Sequence, residues 1–230
     1  MCLTKLVYCS DHRIPHWGLR QVQYIILRMT PALRCELISW SEVQRLCLRL
    51  AHLVRESGYH PDIVVAIGRG GFVPARLLCD YLDIMALTSI KIEHYLSGST
   101  KREQAIVRYP LCTSIENQCV LLVDDVNDSG DTLDVALQHL HSVNPSEVRT
   151  AVMHHKNTTH RTVDYHARKI IKWRWLIYPW ARVEDISAFI QRMTPAPETL
   201  QEIQQKLSKN YEISISMKEL KQLRDLLMLS

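Results

Sequence analysis

Val120-Leu-Leu-Val-Asp-Asp-Val-Asn-Asp-Ser-Gly-Asp-Thr-Leu133 is the stretch from which the fold can be read. Val120 to Val123 are four apolar residues, which suits a central strand of a parallel sheet. Asp124 and Asp125 then fall at the carboxyl end of that strand, where open α/β sheets bind their ligands. From Asp128 to Thr132 the chain offers small residues, hydroxyls and backbone N–H groups just ahead of a helix expected from about Leu133. Such a turn suits a phosphate, because free amides and the helix dipole both favour an anion. Carboxylates beside it would repel a bare phosphate unless they hold something else. Sugar hydroxyls and Mg²⁺ are the natural candidates, so the pattern describes a site for a phosphorylated sugar.

Two other readings of the same residues fail. An EF-hand loop could start at Asp125, with Asn127, Ser129 and Gly130 in place, but its twelfth position is Ala136 rather than a bidentate Glu. A merely solvated acidic turn leaves both the flanking strand and the Ser-Gly-Asp-Thr helix start unexplained.

The run resembles the phosphoribosyl pyrophosphate (PRPP) signature of type I phosphoribosyltransferases: an apolar strand, two acids, another Asp three residues on, then Ser/Thr-Gly-x-Thr. A second stretch, Ile67-Gly-Arg-Gly-Gly-Phe-Val-Pro-Ala-Arg76, carries the resemblance further. Read by itself, Gly68-Arg-Gly-Gly71 is a strand-to-helix loop that any tight turn could use, and it is not G-x-G-x-x-G. In the family the equivalent loop binds pyrophosphate. The resemblance therefore implies that Arg69 supplies a cation and that Gly70 and Gly71 let backbone amides approach a diphosphate. It covers roughly residues 36–186 and is closest to archaeal and bacterial purine enzymes.

What the resemblance implies is an α/β protein of the type I phosphoribosyltransferase fold. A central parallel sheet is flanked by helices, with a small hood region and a C-terminal helical extension. The expected reaction joins a purine base to PRPP, giving a nucleoside 5′-monophosphate and pyrophosphate. Asp124 and Asp125 would hold the ribose hydroxyls, directly or through Mg²⁺. Asp128, Ser129, Gly130, Asp131 and Thr132 would form the 5′-phosphate turn, and Asp128 would act as general base on the purine. In the family a Lys ends the strand after the signature helix and an aromatic follows some twenty residues later. Here Lys156 would read a purine O6, Trp175 would stack on the base, and Leu176 would offer backbone hydrogen bonds. The other reading makes Trp173, Trp175 and Trp180 core or interface aromatics. The alternative function is a PRPP-binding regulator with the same fold and little turnover.

Three departures from the family stand out. Asp131 occupies the phosphate turn where many relatives have Gly, Lys or Arg, and a second acid there is tolerable only if it points outward. The segment 93–116 lacks the Ser-Tyr pair of some hypoxanthine–guanine enzymes, leaving closure to other residues such as Tyr95 or Lys101. The chain after Thr194 is additional to the minimal fold.

Along the chain, residues 1–34 have no clear period and read either as an extension or as an extra strand at the sheet edge. Residues 35–193 form the expected catalytic domain with its hood, and 194–230 a helical tail. A helix begins at Ser39, where Ser39-x-x-Glu42 matches a capping box and Ser41 competes for the cap. Strands are expected at 62–67, 84–92, 148–153 and 170–177, and helices at 72–82 and 184–193. Residues 93–116 read as a polar, irregular, mobile loop. Beyond the linker Thr194-Pro-Ala-Pro197, Leu200, Ile203 and Leu207, then Met217, Leu220, Leu223, Leu226 and Leu227, mark two amphipathic helices. Their apolar faces must be buried on the parent domain or across a dimer.

The 230 residues suffice for one α/β domain and an appendage. With 47% apolar and 23% charged residues and a net charge of +4, nothing argues for a nucleic-acid partner, since no polybasic run is present. Seven cysteines without a C-x-x-C suggest buried thiols in a reducing compartment. No apolar stretch reaches the length of a membrane span. A cytoplasmic homodimer is the expectation.

Overall fold

The computed structural model describes residues 33–96 and 103–227. In chain order the elements begin with β1 (Cys35–Leu37), α1 (Trp40–Glu56), β2 (Ile63–Gly68), α2 (Phe72–Leu82), β3 (Leu87–Leu96), β4 (Glu103–Tyr109) and β5 (Cys119–Asn127). There follow α3 (Asp131–His141), β6 (Glu147–Lys156), β7 (Tyr165–Ile170), β8 (Trp175–Ile177), α4 (Arg182–Ile190), α5 (Leu200–Tyr211) and α6 (Met217–Leu227). The described residues divide into two compact units: Ile38–Arg174, and 33–37 together with 175–227.

The first unit is built on a six-stranded sheet in the order β4-β3-β2-β5-β6-β7. Every neighbouring pair is parallel except β3 and β4, which run antiparallel. Ile63 to Ile67 are all buried, as a central strand covered on both faces requires. Ile63, Val65, Ile67, Val120, Leu122 and Val152 join Leu133, Ala136, Leu137 and Leu140 of α3 in one apolar cluster. The alternate residues Val64, Ala66, Leu121 and Val123 point to the other face and are just as deeply buried. There α1 packs against β6 and β7, and α2 against β2 and β5. Ser39 caps α1, its Oγ accepting from Glu42 N at 3.1 Å, while Ser41 only meets the Ser39 hydroxyl at 2.9 Å. Glu42 accepts from Arg45 and Arg168 at 3.2 and 3.1 Å.

Two expectations need correction. Residues 93–116 are not one irregular loop: β3 runs on to Leu96, and β4 pairs with it from Lys91↔Tyr109 to Leu96↔Glu103. Ala105 and Val107 pack on the core while Ile106 is exposed, the half-buried alternation of an edge strand, which polar flanks conceal. The single strand expected at 170–177 is two strands in different sheets, Tyr165–Ile170 and Trp175–Ile177. Tyr165, Ala167 and Ile170 are buried while the residues among them are polar, so β7 too reads as an edge strand. Lys101 lies outside the described residues, as do 1–32, and no side chain is described for Tyr95.

In the second unit β1 and β8 form a parallel pair, Cys35↔Trp175 to Leu37↔Ile177. Its helices close on one another. Phe189 of α4 stacks on Tyr211 at 4.5 Å between centroids, and Arg182 pairs with Glu219 of α6 at 2.5 Å. Ile203, Leu207, Ile213, Ile215, Leu220 and Leu223 of the tail are buried, whereas Leu226 is exposed. Thr199 caps α5 by accepting from Glu202 N at 3.2 Å. Cys35, Cys47 and Cys79 are buried, and burial pushes the Cys35 and Cys47 thiols up to about 12. Among the described residues no helix is long and apolar enough to cross a membrane.

Candidate active site

The site begins where β5 outruns β2. Their pairing ends at Ala66↔Val123, whereas β5 and β6 stay paired to Asn127↔His155. Beside Asp124 and Asp125, therefore, the chain of β2 turns away through Gly68–Gly71. In that turn the Gly68–Arg69 peptide is cis, Gly71 N donates to Ile67 O at 2.8 Å, and Arg69 is exposed. A Cβ at Gly70 would lie 2.7 Å from Asp125 Oδ1, so glycine is what lets this loop reach the acid. Two segments that sequence alone could only align are thus in contact.

Asp124 is buried, and its Oδ1 accepts from Asp125 N at 2.9 Å. Burial, then the neighbouring Asp125 charge, push its carboxyl well above the usual range, with Lys91 pulling the other way. Mg²⁺ takes hard oxygen donors, commonly one or two carboxylates plus substrate phosphates. No cluster of three or more His, Cys, Asp or Glu able to cage a metal occurs among the described residues. The Asp124–Asp125 pair therefore fits an ion that arrives with a phosphorylated ligand and relieves the crowding of negative charge.

The expected phosphate turn follows β5 and opens α3, two residues earlier than anticipated, at Asp131. Gly130 has φ 107°, in the left-handed region, and a Cβ there would come within 2.7 Å of Arg161 Cβ. Residues 158–161 pack against this turn, His160 N donating to Ser129 O at 3.1 Å. Asp131 is exposed and accepts from Ser129 Oγ at 2.9 Å, which is how a second acid is accommodated here. Asp134 pairs with His160 at 2.7 Å and Arg161 at 3.0 Å, and the Asp134 hydrogen bond raises the His160 pKa. Thr132 Oγ1 meets His94 Nε2 of β3 at 3.1 Å.

Asp128 sits between the acidic pair and this turn. Lys156, almost wholly buried at the end of β6, donates to its Oδ2 at 2.6 Å. Trp173 Nε1 and Thr158 Oγ1 donate to its Oδ1 at 3.1 and 3.2 Å. Burial lowers the Lys156 pKa, and Asp128 opposes that shift. Nothing in the spacing of the chain singles out Trp173, Thr158 or His94. Trp175 and Leu176 lie on β8 of the second unit, where Trp175 N donates to Arg34 O at 2.9 Å and Leu176 is buried.

His154, fully buried on β6, gives a check on this strand's interior. Burial, with Arg168 and Lys156 nearby, pushes its pKa from 6.5 down to about 3. A depressed folded pKa contributes stability that is present above 6.5 and lost as pH falls toward 3. Thermal stability should therefore decline through that window, and His154→Leu should flatten the decline. A variant melting profile just as steep with pH would contradict the assignment.

The Phosphoribosyl transferase domain family matches residues 39–182. The xanthine-guanine phosphoribosyltransferase of Ruegeria sp. (strain TM1040) is 31% identical over 152 residues, covering 62% of this chain and 83% of that protein. The hypoxanthine-guanine phosphoribosyltransferase of Saccharomyces cerevisiae is 32% identical over 120 residues, 45% of this chain and 53% of that one. Among solved structures, a purine phosphoribosyltransferase from Pyrococcus horikoshii Ot3 superposes with a TM-score of 0.57 at 28% identity, covering 64% of this chain and 94% of that chain. The chain belongs to the phosphoribosyltransferase family. Its fold is the type I phosphoribosyltransferase fold, and membership makes it a pentosyl-transferring enzyme.

Proposed function

We propose that this enzyme transfers the phosphoribosyl group of PRPP to a purine base, releasing pyrophosphate and forming a nucleoside 5′-monophosphate. The observation that carries the reading is the convergence of Gly70 on Asp125 beside an Asp128 that is ion-paired to a buried Lys156. The purine enzymes among its relatives support the choice of base.

The residues divide the work by charge. Arg69 and the amide of Gly70 hold the diphosphate, which must carry negative charge away. The Gly71 amide, expected to join them, is spent on Ile67 O at 2.8 Å, and Gly71 packs on the backbone of β2 and β5 instead. Asp124 and Asp125 hold the ribose hydroxyls and the ion that accompanies PRPP. Bound Mg²⁺ supplies charge neutralisation at the departing pyrophosphate. Backbone amides from Ser129 to Thr132, at the positive end of α3, hold the 5′-phosphate. As the C1′–pyrophosphate bond breaks, positive charge builds on the sugar, and a purine nitrogen forms the new bond from the opposite side. Such chemistry gains most from positioning and fixed charges. Asp128 accepts the proton that the base gives up, and Lys156 donates to a 6-oxo group. A homodimer belongs to the same reading.

A PRPP-dependent assay over hypoxanthine, guanine, xanthine and adenine with Mg²⁺ tests the function, and no turnover with any of them would overturn it. Lys156→Ala is expected to lower kcat/KM for the 6-oxo bases by about 10–100-fold, the cost of one hydrogen bond to a charged group. Adenine, which offers no 6-oxo acceptor, should lose far less. Equal losses would remove Lys156 from base recognition. Trp175→Ala, measured alongside, tests the stacking role that the resemblance gives that residue.

A further inference from the structure

The Asp128 carboxylate is gripped differently at its two oxygens. Lys156 Nζ donates to Oδ2 at 2.6 Å, whereas Trp173 Nε1 and Thr158 Oγ1 donate to Oδ1 at 3.1 and 3.2 Å. The Lys156 ammonium also lies 4.3 Å from the centroid of the Trp173 ring. We propose that Trp173 is a positioning residue: its indole N–H anchors Asp128 Oδ1, keeping Oδ2 aimed to accept the purine proton when Lys156 turns to the base. The inference rests on the reading of Asp128 as proton acceptor and Lys156 as base contact.

While the Lys156 ammonium sits 2.6 Å from Oδ2 it neutralises much of that oxygen's charge and makes it a poorer acceptor for a proton from the base. Once Lys156 donates to a 6-oxo oxygen, the carboxylate loses its shortest contact and would be free to rotate. Trp173 prevents this because the indole N–H is a donor only and selects one oxygen. Its ring is half-buried and has few rotamers, whereas Thr158 is exposed and its hydroxyl competes with water. A hydrogen bond to the charged form also keeps Asp128 ionised and able to accept. The ring face attracts the ammonium, which steadies Lys156 as it releases Oδ2. The proton moves from purine N7 to Oδ2, and the N–H electron pair passes into the imidazole ring. N9 supplies the pair for the bond to C1′ as the C1′–pyrophosphate bond breaks, and Oδ1 stays an acceptor throughout.

The test uses Trp173→Phe, which keeps an aromatic ring for Lys156 and removes the N–H. Its single-turnover rate with PRPP and a 6-oxo purine should fall about tenfold, the scale of one hydrogen bond to a charged group. PRPP affinity should stay near wild type. In an Asp128→Asn background the same change should cost less than about twofold, since the two residues act as one unit. With the tryptophans ¹⁵N-labelled, Asp128→Asn should also move one of the five indole N–H resonances upfield. If Asp128→Asn slows chemistry while Trp173→Phe does not, the inference fails and the reading of Asp128 stands. If Asp128→Asn leaves the rate untouched, that reading fails as well. Should Trp173→Phe not fold, the resonance decides: no indole signal moving in Asp128→Asn overturns the proposal.

Discussion

Asp128→Asn is expected to lower kcat by about 10²–10⁴-fold, the usual contribution of a general acid–base group. PRPP affinity should change far less, because the backbone amides proposed to hold the 5′-phosphate are left in place by the substitution. Asn keeps the shape and can still accept from Trp173 and Thr158 at one oxygen. What it loses is the acceptor at Oδ2, and its amide then presents N–H groups to the Lys156 ammonium. That ammonium is buried, and burial already lowers its pKa. Without its counter-ion Lys156 should shift further toward the neutral form. Two defects therefore coincide: no proton acceptor, and a weaker cation for the base. Single-turnover kinetics separate them from product release, and calorimetric titration of PRPP gives the binding control. A variant that turns over at the wild-type single-turnover rate would exclude Asp128 from proton transfer.

The pairing behind that prediction was not legible in the sequence, although both partners were named. Asp128 and Lys156 are 28 residues apart, and their contact follows from the register of β5 on β6, in which Asn127 stands beside His155. Local signals served well where one segment carries the whole message. The helix from Phe72 to Leu82 follows a glycine loop, and β5 is a continuous apolar run leading into a turn of small polar residues. They failed at β4 and β7, edge strands with one buried face whose charged residues hide a period of two. Trp173 shows the other limit. It reads as part of one strand over 170–177 but follows β7 outside any regular element, and only the folded chain brings its indole to Asp128. Gly70 lies between these cases: the glycine loop was readable, but the reason for glycine, the approach of Asp125, was not.

Replacing both acids of β5, Asp124→Asn with Asp125→Asn, should weaken PRPP binding in the presence of Mg²⁺ by about a hundredfold or more. Two hydrogen bonds to charged groups are lost, each of about 1.5–3 kcal/mol. The stability of the unliganded protein should move the other way or not at all. Asp124 is buried, and both burial and the Asp125 charge disfavour its ionised form. Asn at position 124 removes that charge without opening a cavity, and its carbonyl oxygen can still accept from the residue 125 amide, the bond now made at 2.9 Å. A group retained at a cost to the empty fold is one kept for its ligand. Thermal melting without PRPP should therefore be equal to wild type or higher, while the upward shift of Tm on adding PRPP and Mg²⁺ should shrink, since that shift measures binding to the folded state. Asp125, only half-buried and beside Gly70, should carry most of the binding loss when changed alone, and Asp124 most of the gain in stability. If melting temperature and PRPP affinity fall together, the pair is structural and the ligand assignment is wrong. If neither changes, the acids hold nothing, and the ribose of PRPP must be bound elsewhere.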